Sequence, residues 1–137
     1  MVTINFWPIL IASVIAFAIG ALWYSPLLFG KQWMSLTGIK ASDVSGDKAR
    51  GMWKLYVIQF IVTLITFSVL GFIVAADGGL GAVDGAWMGF LAWLGFTVPI
   101  GVSGLLWEKK PLQLVLISTV SILLCQVIGG AIIGAWR

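Results

Sequence analysis

Two glutamines and the hydroxyls near them are the side chains with most to offer chemically in this sequence. Gln59, Thr63 and Thr66 recur at i, i+4 and i+7, and Thr119, Gln126 and Gly130 follow a similar period, so each set forms one face of a helix. Neutral amides and hydroxyls at that spacing can hold helices together or line a path for a polar ligand. They cannot supply the acid, base or activated nucleophile of a reaction without help. That help is missing, because the chain has no histidine and its single glutamate, Glu108, stands beside Lys109 and Lys110 in the setting of a solvated loop charge. Cys125 is the only cysteine, which excludes an internal disulfide and a thiolate cluster and leaves a small apolar packing residue. The expectation is a non-enzymatic protein with no catalytic residue, no cofactor and no metal. Its ligand or pore candidates are Gln59, Thr63, Trp93, Thr97 and Gln126.

The elements that must position these residues carry almost no charge. Residues 1–30, 55–76, 85–107 and 111–136 contain no Asp, Glu, Lys or Arg, and each stretch is about the length, about 20 residues, that a helix needs to cross a hydrocarbon core. With 61% hydrophobic and 9% charged residues and a mean hydropathy of +1.09, the chain has too little polar side chain to cover a water-facing surface. The fold class is therefore all-α: a polytopic membrane protein of four transmembrane helices over residues 4–24, 55–76, 86–107 and 112–135. Loops 25–54 and 108–111 join the first pair and the last pair, and residues 1–137 form one membrane domain. Ala16-Phe17-Ala18 imitates a signal-peptidase site, but no basic residue precedes the apolar run and that run continues through Trp23. Span 1 is expected to be retained. No basic stripe interleaved with aromatics suits a phosphate backbone, so nucleic acid is not an expected partner.

The residual charge sets orientation. Lys31, Lys40, Lys48, Arg50 and Lys54 lie between spans 1 and 2, Lys109 and Lys110 between spans 3 and 4, and only Arg137 on the other side, where Asp77 and Asp84 sit. The positive-inside rule then places both basic loops in the cytoplasm and both termini outside. Trp7, Trp87 and Trp136 fall at the outer ends of spans and Trp23, Trp53 and Trp107 at the inner ends, the headgroup level that an indole prefers. Trp93 falls near the bilayer centre, where its N–H needs a partner inside the bundle. Lys31, Lys48, Arg50, Lys54, Lys109 and Lys110 gather at one leaflet, each worth about 1 kcal/mol near a negative surface, which makes anionic lipid an expected partner.

The first basic loop opens with structure of its own. Pro26 biases Ser25 away from helical geometry and ends span 1. Ser25 can then cap a second helix over residues 26–37, with Pro26 in its first turn and Gly38 at its C-terminal end. On a helical wheel Lys31, Gln32 and Ser35 gather on one side and Phe29, Trp33, Met34 and Leu36 on the other. Such a helix would lie on the membrane surface, Phe29 and Trp33 towards acyl chains and Lys31 towards water; a kinked continuation of span 1 is the alternative. Residues 39–51 read as the one water-exposed stretch, with Asp47 able to cap an early start of span 2.

The order of aromatics, Pro and Gly in this loop is distinctive. The run Trp23-Tyr24-Ser25-Pro26-Leu27-Leu28-Phe29-Gly30, extended to Trp33, resembles the signature of a DUF1761-like family of small, mainly bacterial, four-span membrane proteins catalogued as a domain of unknown function. The likeness extends over essentially the whole chain and includes the turn Trp107-Glu108-Lys109-Lys110-Pro111. It implies a four-span fold in a bacterial inner membrane; the interfacial motif read from the loop's own residues is Trp23, Tyr24, Ser25, Pro26, Phe29, Gly30 and Trp33. It implies no reaction, ligand or site residue.

Three further patterns bear on assembly. Gly20-Ala21-Leu22-Trp23 followed by Pro26-Leu27 echoes Gly104-Leu105-Leu106-Trp107 followed by Pro111-Leu112, which is either a duplicated two-span hairpin or the common occurrence of Trp and Pro at span ends. Small residues recur every four positions at Ala12, Ala16 and Gly20, at Gly81, Gly85 and Gly89, and at Ser121, Cys125 and Gly129, with Gly130 and Gly134 beyond. Such strips let backbones approach closely and point towards a homo-oligomer. Pro99 removes one backbone hydrogen bond near Gly95 and makes either a hinge, beside Trp93, Thr97, Gly101 and Ser103, or a static kink. The expected function is association with itself, lipid or a partner; the alternative is a small transporter or channel subunit with a pathway lined by neutral polar residues.

Overall fold

A computed structural model describes residues 2–40, 51–78 and 81–136. The described residues are helical apart from turns, with no strand among them. Among the described residues four helices are long and apolar enough to cross a membrane: α1 (Phe6–Trp23), α3 (Met52–Asp77), the composite Ala82–Trp107, and α6 (Leu112–Ala135). A short helix, α2 (Gly30–Thr37), follows span 1. Asn5 opens α1 by accepting the Trp7 amide at 3.1 Å, and Pro8 occupies its first turn, where a missing N–H costs nothing. Gly38 and Gly78 close α2 and α3 with φ of 77° and 76°, the left-handed geometry that only glycine adopts freely.

Span 3 is built in three pieces. α4 (Ala82–Ala92) runs into a π-turn at Trp93–Thr97, and α5 (Val98–Trp107) completes the crossing. The Val98 N–H reaches back to the Trp93 carbonyl, and Pro99 has no N–H to give Gly95. Neither Leu94 nor Gly95 therefore receives its usual α-helical donor. The kink anticipated at Pro99 is thus a widened turn just before it, since one extra residue per turn lets the proline ring clear the preceding carbonyls.

α6 is the hub of the bundle, packed against α1, α3 and α4. The core of Ile9, Ala12, Ala16, Phe67, Leu70, Val74 and Ile133 draws on the start of α1 and the ends of α3 and α6, so it occupies the half that carries the chain termini. The small-residue strips are taken up in this half. A Cβ on Gly85 would overlap the Gly130 carbonyl, one on Gly89 the Gln126 carbonyl, and one on Gly134 the Gly81 carbonyl. The Gly81 N–H also donates to the Gly134 carbonyl at 3.1 Å. Ala12, Ala16, Ser121 and Gly129 are likewise buried within one chain, and the Cys125 thiol approaches the Ala16 carbonyl at 3.7 Å. Apart from Gly20, where nothing lies within 4 Å of an added Cβ, the strips that pointed to self-association pack inside a single bundle.

The half carrying the basic loops is more open. α3 packs against α4, the terminal half of span 3, and has no comparable packing against α5. The two halves of the chain also differ at the residues of the proposed repeat: the Trp23 indole is anchored on α6, whereas Trp107 is 84% exposed.

Candidate functional site

The run from Trp23 to Gly30 folds into an elbow between α1 and α2. Ser25 does not cap a helix beginning at Pro26, as the sequence suggested. Its hydroxyl donates back to the Leu22 carbonyl at 2.6 Å, and its own carbonyl accepts the N–H groups of Leu28 and Gly30 at 3.1 and 2.9 Å. The Phe29 N–H reaches the Trp23 carbonyl at 3.0 Å. These bonds use up the turn's backbone groups, so α2 starts at Gly30. Gly30 is required there, because a Cβ would overlap the Tyr24 carbonyl and lie 2.7 Å from Ser25. The aromatic side of α2 is turned onto the elbow rather than away from the protein: Phe29 meets Trp23 at 4.6 Å and Trp33 meets Tyr24 edge-on at 5.5 Å between ring centroids. Leu27 and Leu28, 83% and 46% exposed, are the apolar residues of the elbow left facing outward.

The elbow and the π-turn are each fastened to α6 by an indole. Trp23 Nε1 donates to the Ile117 carbonyl at 2.9 Å, and Trp93 Nε1, from the π-turn, donates to the Thr119 carbonyl at 2.8 Å. Both use the second lone pair of a carbonyl already in a helix, which gives Trp93 the internal partner that its depth demands. The Tyr24 side chain lies near Ser118 and Ser121 on the same face of α6. Between the elbow and α6 runs a groove of about 320 Å³, lined by Trp23, Phe29, Gln32, Gln113, Leu116, Ile117 and Val120. Its two glutamines come from the first turns of α2 and α6, and its apolar floor from further along α6.

A second opening lies at mid-span where α3 and span 3 diverge. It is a slot of about 130 Å³ lined by Thr66, Val69, Leu70, Ile73, Ala92, Phe96 and Gln126. Gln126 Oε1 is buried and receives no hydrogen bond. Gln59 is exposed at the far end of the same stripe of α3, held only by a 3.5 Å contact from its Nε2 to the Thr63 hydroxyl, while Thr63 and Thr66 donate to carbonyls one turn back, at 2.8 and 3.1 Å. The stripe therefore flanks the core instead of facing fully into it. Thr97, half-buried, closes the π-turn.

The family model described as "Protein of unknown function (DUF1761)" matches residues 7–134. The chain belongs to that family. Among curated proteins and solved structures, none matches it. In this DUF1761 member the signature residues are architectural: Trp23 and Tyr24 dock on α6, Ser25 and Gly30 make the turn, Phe29 and Trp33 stack on the elbow. Pro26 supplies the break that the turn needs.

The basic candidates are unequal. Lys110 is paired with Glu108 at 3.0 Å, its stem lying over Gly104, and its N–H donates to the Gly104 carbonyl at 3.1 Å. Both partners are more than half exposed, so the pair adds little stability, but it ties Lys110 to the turn. Lys109 is the one described non-glycine residue with positive φ, at 53°. Lys54 stands 5.8 Å from the Trp53 ring centroid, and Lys31 is exposed on α2. Lys48, Arg50 and the cap expected at Asp47 lie outside the described residues. The groove, the slot and the π-turn had no signal in the sequence beyond Pro99 and the polar periodicities.

Proposed function

We propose that this protein is a non-enzymatic integral membrane protein of the bacterial inner membrane whose work is to bind lipid, with the elbow groove as its principal site. The observation that carries this reading is the groove itself. Its apolar floor suits acyl chain, and Gln32 and Gln113 at its rim offer neutral donors and acceptors to a headgroup. The chain positions next to that rim are basic, Lys31 on one side and Lys109 and Lys110 on the other, which favours an anionic headgroup. In this reading α2 lies in the interface, Leu27 and Leu28 facing acyl chains and Lys31 and Ser35 facing water. Self-association stays within the proposal, but its surface moves to the exposed apolar faces of α3 and α5, since the glycines of α4 and the end of α6 are occupied within the bundle.

Orientation follows from the basic residues: the elbow side is cytoplasmic and both termini lie outside. Reporter fusions at Arg137 are expected to be active only in the outward compartment, and activity confined to the cytoplasm reverses the assignment.

Native mass spectra should show anionic lipid retained in preference to zwitterionic lipid, and less of it in a Lys109→Ala, Lys110→Ala double variant that still inserts. The preference should also weaken as salt shortens the Debye length from about 10 Å at 0.1 M towards 3 Å at 1 M. A double variant that keeps the parent's lipids at both salt concentrations makes these residues topological signals alone.

A further inference from the structure

The slot at mid-span has chemistry unlike that of the elbow groove. Among the described residues no ionisable side chain lines it, so a charged headgroup drawn to this depth would lose its hydration without compensation. Its lining is apolar except for the Gln126 amide and the Thr66 hydroxyl, and Gln126 Oε1 is buried with no donor. An unpaired amide oxygen at hydrocarbon depth costs several kcal/mol unless a partner arrives. The Thr66 hydroxyl already donates to the Val62 carbonyl at 3.1 Å, which leaves its lone pairs as acceptors. Gln126 Oε1 is therefore the group that calls for a hydrogen-bond donor, and Thr66 beside it can accept a second one.

Size narrows the occupant. At about 130 Å³ the slot admits the head and first methylenes of a narrow chain, the rest of which lies outside it in lipid, but not a helix, which is about 10–12 Å across with its side chains, so a second copy could enter it only through a side chain. It opens sideways, towards lipid, where the lining residues Val69 and Phe96 are exposed and α3 has no packing against α5 comparable to that against α4. The π-turn forms part of the far wall through Phe96, and it widens span 3 just where the slot needs room.

We infer that this slot binds a slender, uncharged, single-chain amphiphile from the bilayer, such as a long-chain alcohol, with its hydroxyl donating to the Gln126 amide and its chain lying between α3 and span 3. The molecule slides in from the elbow side, past Gln59 and Thr63, whose polar stripe leads along α3 to Thr66. Gln126 then has its missing partner and the hydrocarbon-facing gap is filled.

The test uses the full-length protein in liposomes of phosphatidylethanolamine and phosphatidylglycerol, with hexadecanol carrying a photoactivatable diazirine in its chain as the probe. Saturable labelling is expected on Val69, Ile73 and Ala92, displaced by unlabelled hexadecanol but about tenfold less well by palmitate, whose carboxylate must give up its charge or its hydration to enter. Gln126→Leu should raise the displacing concentration about three- to tenfold, the worth of one neutral hydrogen bond, and Ala92→Phe, which fills the slot, should abolish saturable labelling. The wild-type displacement stands on its own if either variant fails to fold. Labelling that merely follows lipid exposure, spread over Leu55, Ile58 and Ile65 and not displaced, overturns the inference, as does equal displacement by palmitate. Cross-links joining two copies through these positions would assign the slot to self-association instead.

Discussion

Gly85→Val is expected to separate α4 from α6 and to destabilise the bundle by about 3 kcal/mol or more, the upper range for overpacking. A Cβ at this position would collide with the Gly130 carbonyl and stand 2.9 Å from the Gly134 amide nitrogen. Both are backbone atoms, so no change of rotamer relieves the clash and the helices must move apart. The reciprocal collision, from Gly130 onto the Gly85 carbonyl, means that Gly130→Val should behave alike. Movement would also disturb the neighbouring contact of Gly89 with Gln126, which positions the slot. The control is Gly20→Ala, in α1, where nothing lies within 4 Å of the added methyl. That change should leave stability unchanged or raise it by about 0.5–1 kcal/mol through helix propensity. Unfolding by sodium dodecyl sulfate in mixed micelles, followed by far-ultraviolet circular dichroism, gives the comparison. If Gly85→Val unfolds at the parent's detergent fraction, α4 and α6 do not meet backbone to backbone.

The second large effect is expected at Phe67 and Gly129, which share one space. Phe67 is 1% exposed, and its ring covers the place where Gly129 lacks a side chain: an added Cβ would overlap ring carbon Cε1 and lie 2.6 Å from Cζ. In a bilayer the alternative to burial is lipid and not water, so the ring contributes packing rather than hydrophobic transfer. Phe67→Ala should therefore cost near the low end of the ~3–5 kcal/mol seen for buried phenylalanine. Gly129→Ala should cost about 1–3 kcal/mol by overpacking. Shrinking the ring makes room for the methyl, so Phe67→Leu with Gly129→Ala should be less damaging than the two single changes added together, by about 1 kcal/mol of coupling. Strict additivity in the same unfolding assay would show that the two residues do not compete for one volume.

Which parts of this protein were readable in its sequence follows from which forces act on single segments. Crossing a bilayer depends on the hydropathy of one continuous stretch, and orientation on the charge of the loops that flank it, so the four helices and the clustering of lysines at one end are properties of the chain read in a line. The need for an internal partner at Trp93 was readable for the same reason, because an indole N–H at that depth has no water to turn to. Gly38 and Pro26 acted locally and were visible as a stop and a break.

Pairing was not readable, because a small-residue strip fits another helix of the same chain as well as it fits a second copy. Only the three-dimensional arrangement sets Gly85 against Gly130 and Gly89 against Gln126, and so turns a signal for assembly into the seam of one bundle. The start of α2 was likewise decided by tertiary structure. Ser25 had two uses for its polar groups, and docking Trp23 and Tyr24 onto α6 selected the elbow over the cap. The groove and the slot exist because α6 is tightly packed at one end and loosely at the other. Close glycine contacts draw the helices together in the terminal half, while the π-turn widens span 3 beside the slot, an arrangement that arises only once the helices have met.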